Sequence, residues 1–269
     1  RITGPAWRSP LITGSTEENA IVKLYSNVDG QIGTTTANAL LGDWSITTST
    51  LSVGSQEIYF TATDVAGNQS ANSDILNLTI DKTAPGYAGV SIYSNNLNPI
   101  YAVANNIVYI EFETTEAVET PQVVINGINA TTITGGPTDW LASRTLSSGE
   151  TEGTIPFSIN ITDPAGNMPA ERTLSSDNSS VTYDDSNPSI SSITVNNGVY
   201  KVGDVITVLI QSDDKTYTGT TVQVNGKDQT LVNNLNNNYT IEYQVEEGDA
   251  EITSSASLPV NIVLKDPAG

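Results

Sequence analysis

Residues 56–68 read QEIYFTATDVAGN, a run of alternating polar and apolar residues followed by an Asp-x-Ala-Gly-Asn turn. The period of two predicts a β-strand, because successive side chains of a strand point to opposite faces. The turn motif recurs as DPAGN at residues 163–167 and as DPAG at residues 266–269. A repeat of about one hundred residues has the size of one β-sandwich domain. The sequence therefore predicts three tandem all-β domains.

Strands are predicted throughout the chain, and no stretch shows a helical period. Strand-like runs lie at residues 20–25, 107–112, 122–125, 205–210 and 240–245. In the first two repeats a further strand follows the motif, at residues 74–80 and 179–183, so we expect the motif to be a hairpin turn. Asn126-Gly127 and Asn225-Gly226 directly follow strands and predict tight turns, since both residue types tolerate a positive φ.

Two short linkers separate the repeats, at residues 81–85 (DKTAP) and 184–188 (DDSNP). The predicted domains are residues 1–83, 84–187 and 188–269, the third of which is incomplete at its C-terminus. The sequence begins without Met and stops inside a motif, which is typical of a piece of a longer polypeptide. The strand expected after the third motif would come from a continuation of the chain or from a neighbouring molecule.

The composition removes most catalytic chemistries. The chain has no His and no Cys, so it lacks the groups for a Ser-His-Asp triad, a thiol nucleophile or a soft-metal site. Ten Lys and Arg face thirty Asp and Glu, a formal charge of −20, which disfavours nucleic acid and anionic membrane surfaces as partners. The sequence contains no run of about 18 apolar residues, so no membrane span is predicted. The acidic, oxygen-rich composition favours a hard divalent cation such as Ca²⁺.

Four phrases of the first repeat carry a resemblance to a known family: residues 12–22 (ITGSTEENAIV), 42–45 (GDWS), 61–68 (TATDVAGN) and 80–85 (IDKTAP). They resemble the bacterial immunoglobulin-like repeats of large calcium-dependent cell-surface adhesins. The second repeat resembles a related subtype through residues 115–118 (TEAV) and 151–157 (TEGTIPF), and the third matches more loosely. The resemblance implies immunoglobulin-like β-sandwiches in an extended rod, joined by calcium at their junctions, on the bacterial cell surface.

The resemblance also implies a set of metal ligands, in which a linker acid joins acids from loops. For the first ion we expect Asp81 together with Asp64, Asn68 and Glu17. The corresponding residues of the second repeat are Asp163, Asn167, Glu116 and either Asp184 or Asp185, and those of the third are Asp266 with Asp213 or Asp214. Carboxylate, amide and carbonyl oxygens suit Ca²⁺, which accepts about six to eight of them in flexible geometry.

A simpler interpretation of the motif stays open at this point. Asp can accept backbone N–H bonds and Gly supplies a positive φ, so Asp-x-Ala-Gly-Asn can be a turn that needs no ion. The linker acids can likewise be solvated surface charges. Trp44 and Trp140 could form a sugar-binding platform, although aromatic residues of sandwiches more commonly pack in cores.

These observations favour a structural stalk or adhesive segment of a secreted cell-surface protein. Its expected partners are neighbouring repeats of the same polypeptide, a second copy, and an unidentified surface receptor or glycan. The alternative is a subunit of a surface layer or filament with lateral or strand-donation contacts. A carbohydrate-binding accessory module is a third hypothesis, and paired acids such as Glu111 and Glu113 fit surface solvation as well as glycoside hydrolysis. We expect no catalytic residues and no enzyme activity.

Overall fold

The computed structural model describes residues 2–3, 9–213, 217, 220–253 and 256–269. These residues form β-strands and no helix, which confirms the all-β prediction. Hydrophobic side chains gather in three separate clusters, each confined to one of the three predicted domains.

The first domain consists of two sheets that enclose a core. Its strands are β1 (Ile2–Thr3), β2 (Leu11–Ser15), β3 (Ile21–Ser26), β4 (Gly30–Thr36), β5 (Asp43–Thr47), β6 (Gly54–Thr63) and β7 (Leu76–Ile80). One sheet has the order β1-β2-β5 and the other β4-β3-β6-β7. The alternation of β3 buries Val22 and Leu24 against Trp44 of the opposite sheet, so this unit is a β-sandwich.

The second domain has a larger core and three sheets. Its strands are β8 (Tyr87–Ser94), β9 (Tyr101–Ala102), β10 (Ile107–Thr114), β11 (Gln122–Ile125), β12 (Ile128–Asn129), β13 (Thr132–Gly135), β14 (Asp139–Thr145), β15 (Gly153–Thr154), β16 (Phe157–Asn160) and β17 (Thr182–Tyr183). The sheets run β13-β14-β10-β8, β12-β11-β16 and β15-β17-β9. Asn126 and Gly127 have φ values of 51° and 75°, which confirms the predicted tight turn between β11 and β12.

The third domain repeats two of these sheets. Its strands are β18 (Ile190–Val195), β19 (Val205–Ser212), β20 (Thr221–Val224), β21 (Lys227–Asp228), β22 (Val232–Asn233), β23 (Asn238–Gln244) and β24 (Val260–Val263). They form sheets β18-β19-β23-β22 and β21-β20-β24. The described part of this domain has no counterpart of the β15-β17-β9 sheet. Accordingly Val260 and Ile262 of β24 are only partly buried, whereas Phe157 and Ile159 of β16 lie in the core.

The strand after the second motif pairs differently from the sequence-based expectation. In the first domain β7 pairs antiparallel with β6, as a hairpin requires. In the second domain the chain returns antiparallel to β16 after the motif only as an isolated bridge between Ile159 and Arg172. β17 pairs with β15 and β9, so the prediction that residues 179–183 form the second strand of a hairpin is wrong there. The reason is the intervening segment, whose Ser176 and Ser179 hydroxyls accept the backbone N–H groups of Val90 and Ile92 on the edge strand β8.

A buried ion pair ties β14 of the second domain to the loop that follows it. Arg144 and Glu150 have side chains only 4% and 12% exposed, and two guanidinium nitrogens donate to the carboxylate at 2.9 and 2.5 Å. Burial tends to raise the pKa of Glu150, but hydrogen bonds from Arg144, the Ser147 amide and Asn126 outweigh it, so the pKa is lowered. In the third domain Asp249 holds the corresponding place, where its carboxylate accepts the Tyr243 hydroxyl at 2.5 Å.

Glu150→Ala should lower the free energy of unfolding of the second domain by about 3–5 kcal/mol, because it leaves the Arg144 charge buried without a partner. Chemical denaturation read by hydrogen exchange of peptides from residues 84–187 measures the change. Since the folded-state pKa of Glu150 is lowered, its contribution is present at neutral pH and is lost as the pH falls through that lowered value. The control Glu113→Ala removes an exposed acid and should change stability by no more than ~0.5 kcal/mol; equal losses would contradict the role of the pair.

Candidate metal centre

Three carboxylates meet where the first linker enters the second domain. One oxygen each of Asp81, Glu116 and Asp163 lies within 4.8 Å of the other two. Asp81 directly follows β7, Glu116 follows β10, and Asp163 follows β16. Asp81 and Glu116 are half-buried and Asp163 is buried. Within the described part of the chain, this is the one such group of three acidic residues.

The strand register explains why the linker and the loop after β10 are neighbours. Thr114 at the end of β10 lies opposite Tyr87 at the start of β8, so the entry point of the domain sits beside this loop. The linker is then fastened to the loop by two hydrogen bonds, in which the Thr115 hydroxyl accepts from the Gly86 amide at 2.7 Å and the Thr115 amide donates to the Gly86 carbonyl at 3.0 Å. Asp81 is thereby held near Glu116.

A second set of contacts brings the motif turn to the same place. The Glu119 amide donates to the Thr162 carbonyl at 2.8 Å, which fixes the loop after β10 against the residue preceding Asp163. Asn167 donates from its backbone and from its side chain to the two Asp163 oxygens, both at 2.8 Å. The side-chain amide of Asn167 also donates to the backbone carbonyl of Asp81 at 3.4 Å. The turn therefore orients one carboxylate of the group and contacts the linker.

The three acids repel one another electrostatically. Burial, and after it the charges of Asp81 and Asp163, raise the pKa of Glu116. Among the described residues no Lys or Arg pairs with any of the three. Lys82, although next to Asp81 in sequence, donates its ammonium to the Leu51 carbonyl at 2.7 Å. The group therefore carries negative charge that the described protein residues do not neutralise.

These residues fit a hard divalent cation. All three offer carboxylate oxygens, and Asp163 is already oriented by Asn167, as the ligands of a metal commonly are. The absence of His and Cys from the whole chain leaves oxygen as its ligand chemistry. A cation would also offset the repulsion by Asp81 and Asp163 that, after burial, raises the pKa of Glu116.

The grouping differs from the one expected from the sequence. Asp81 was expected beside Asp64, Asn68 and Glu17 of its own domain, and it lies instead beside Glu116 and Asp163 of the following domain. The physical reason is topological: a linker acid comes after the last strand of one domain and meets the loops at the entrance of the next. Metal binding by these residues stays a prediction.

Glu17 and Asp64 do not join an acidic group of three in the described part of the chain. Glu17 is exposed. Asp64 accepts the backbone and side-chain N–H groups of Asn68, both at 2.8 Å, and these hydrogen bonds lower its pKa. Here the motif has the geometry of a turn whose hydrogen bonds are satisfied by its own residues.

At the second junction the predicted acids have separate hydrogen-bond partners. Asp184 follows β17, as Asp81 follows β7, and its neighbour Asp185 accepts the Ala104 amide at 2.8 Å. Asp213 accepts the amide and the hydroxyl of Ser189, both at 2.7 Å, and its pKa is lowered by these bonds. Asp266 is buried and accepts two backbone amides of its own turn. Asp214 lies outside the described residues.

Two features of this region were not anticipated from the sequence. The first is Thr115, which fastens the linker; its place beside Glu116 in residues 115–118 was the available signal. The second is the loop between β8 and β9, whose Asn96 contacts the third domain. Trp44 and Trp140, at 5% and 8% exposed, belong to the cores, so neither tryptophan forms a surface platform for sugars.

Comparison with known proteins gives one family match. Residues 6–82 match the model of the family described as bacterial Ig-like domain, which confirms the predicted resemblance for the first domain. No curated protein matches the chain. Within the described residues, no helix has the length and apolar character needed to cross a membrane.

Solved structures show likenesses of fold at low identity. A structure from a 1.5-MDa bacterial ice-binding adhesin is 18% identical, with 97% of this chain and 91% of that chain covered and a TM-score of 0.39. A marsupial T cell receptor is 11% identical, with 96% and 95% covered and a TM-score of 0.44. The I9–I11 tandem of titin is 11% identical, with 96% and 89% covered and a TM-score of 0.32. The described residues are all-β, and the family match covers residues 6–82.

In the presence of a chelator, Glu116→Gln should stabilise the second domain at neutral pH, because it removes one of three repelling charges. A carboxyl whose folded-state pKa is raised costs stability above that pKa, and the cost disappears as the pH falls and the group is protonated. The melting temperatures of the variant and the wild type should therefore converge once the pH is below the unfolded-state pKa of about 4.3. Thermal melts in EGTA at both pH values measure this, with Glu113→Gln as the matched surface control. A difference in melting temperature between variant and wild type that does not depend on pH would refute the electrostatic explanation.

Proposed function

We propose that the chain is a stalk or adhesive segment of a bacterial cell-surface protein, in which Ca²⁺ stiffens the first inter-domain junction. The observation that carries the proposal is the group of Asp81, Glu116 and Asp163, which includes an acid of the linker and two acids of the following domain. Support for a surface protein comes from the bacterial Ig-like family of residues 6–82. Tandem domains that act mechanically need junctions whose flexibility is limited.

The three acids of this junction belong to different structural elements. Asp163 and Glu116 belong to the rigid end of the second domain, where the motif turn and the loop after β10 are hydrogen-bonded to each other. Asp81 belongs to the linker that leaves β7. A bound cation supplies the positive charge that lets the three carboxylates converge. The consequence is that the linker is fixed to the second domain and the first domain loses orientational freedom.

Calcium fits this site better than magnesium does. Ca²⁺ accepts about six to eight oxygens in flexible arrangements, so carboxylates from three separate segments can be combined with carbonyl oxygens and water. Mg²⁺ requires a stricter octahedron and gives up its water reluctantly. A site that joins a linker to two loops favours the cation that tolerates irregular geometry.

Calcium titration of the full chain by calorimetry tests the proposal, with Asp163→Asn as the decisive variant. Asn keeps the size of the side chain and removes one ligand charge, so affinity at the site should fall by about tenfold or more. The matched control is Asp64→Asn, which makes the same change in the same motif where no group of three acids is formed. Wild-type protein should also melt at a higher temperature with Ca²⁺ than with EGTA, because a ligand of the folded state stabilises it.

Small-angle scattering provides the mechanical readout. Chelation should broaden the distribution of end-to-end distances of the wild type, and Asp81→Ala should reproduce the broadening in the presence of Ca²⁺ while both flanking domains stay folded. Absence of heat on titration, or equal loss of affinity in the two Asn variants, would reject the site. Calcium-dependent association of the chain in analytical ultracentrifugation would instead favour the subunit of a surface layer or filament.

A further inference from the structure

The side chain of Asn96, in the loop between β8 and β9, forms a hydrogen bond from the second domain to the third. Its amide nitrogen donates to the Ala268 carbonyl of the third domain at 2.8 Å and to the Asn106 side-chain oxygen of the second domain at 3.0 Å. Its own oxygen accepts the Asn98 amide at 3.0 Å. Both hydrogens of the amide are thus used, one on each side of the junction.

The acceptor on the third domain is held in a buried turn. Ala268 is 3% exposed and Asp266 is 6% exposed. One Asp266 oxygen accepts the amides of Ala268 and Gly269, both at 2.9 Å, which fixes the direction of the Ala268 carbonyl. The turn therefore presents a preorganised acceptor to the second domain.

The donor on the second domain is also held in place. The Asn106 oxygen that accepts from Asn96 accepts the Val103 amide as well, at 2.9 Å, and Asn106 directly precedes β10. The Asn96 side chain is therefore anchored to a core strand through Asn106, and the bond to Ala268 costs little additional ordering.

At the first junction, the carbonyl in the corresponding place has no such contact among the described residues. Ala165 holds the place of Ala268 in the second motif, and it is only partly buried. No described residue of the first domain donates a hydrogen bond to its carbonyl. The described residues of the first junction instead include the three carboxylates and a hydrogen bond from the Asn167 side chain to the Asp81 carbonyl at 3.4 Å.

We propose that Asn96 is an inter-domain latch that holds the second domain against the third. The latch rests on the hydrogen bond to Ala268 and not on the proposed calcium site. It predicts that loss of the Asn96 donors loosens the second junction and leaves the first unchanged.

Distances between pairs of spin labels test the latch in the full chain. The protein has no cysteine, so introduced cysteines can be labelled without background. Thr145→Cys with Glu242→Cys reports on the second junction, and Glu57→Cys with Thr132→Cys reports on the first; all four positions are exposed. Each pair is measured in Ca²⁺ and in EGTA.

The decisive variant is Asn96→Asp, which keeps the acceptor for Asn98 and removes both donors. It should lower the ratio of closed to open second junctions by ~2- to 10-fold, the range for loss of one hydrogen bond, with and without Ca²⁺. Asn98→Ala, in the same loop, is the matched control and should leave the distances unchanged. If Asn96→Asp lowers the melting temperature of the second domain, the distances are measured in Asn96→Ala instead.

Two results would overturn the latch. One is a second-junction distance distribution in a folded Asn96 variant that equals the wild-type distribution. The other is an equal opening of the second junction by the control Asn98→Ala. A first junction that ignores EGTA while the Asn96 variants open the second would reject the calcium proposal and leave the latch standing.

Discussion

Repulsion among carboxylates at the entrance of the second domain is the constraint on which its junction depends. Asp81, Glu116 and Asp163 come from a linker and two loops, and the backbone hydrogen bonds of Thr115 and Glu119 hold them together in spite of their charges. Burial, and after it the charges of Asp81 and Asp163, raise the pKa of Glu116. The proposed cation would offset this repulsion, and its place at the junction would connect ion binding to the orientation of the domains.

The same motif makes different contacts in the three repeats. At residue 64 the Asp closes a turn on its own Asn, and at residue 163 it does so while facing two further acids. At residue 266 it orders a turn whose carbonyl accepts from the neighbouring domain. A self-satisfied turn is therefore the shared structural element, and the chemistry at each junction is set by what the adjoining loops bring to it.

Much of the fold was predictable from local patterns. The period of two in β3, β6, β10 and β19 and the Asn-Gly turns specify strands and their connections through short-range geometry. Strand pairing between distant residues could not be predicted in this way. β17 lies between β15 and β9 because serine hydroxyls of the preceding segment accept hydrogen bonds from β8. The candidate residues stay a prediction, and the structure groups Asp81 with acids of the following domain instead of those of the domain it follows.

The sequence by itself determined the class of domain, its repetition and the kind of ligand chemistry, because strand periodicity, turn residues and the absence of His and Cys are local or compositional properties. Only the tertiary structure decided which acids meet. Register places Thr114 opposite Tyr87, and this brings the loop after β10 to the incoming linker. The contact of Asn96 with Ala268 likewise joins residues that are 172 positions apart, a proximity that no local pattern encodes.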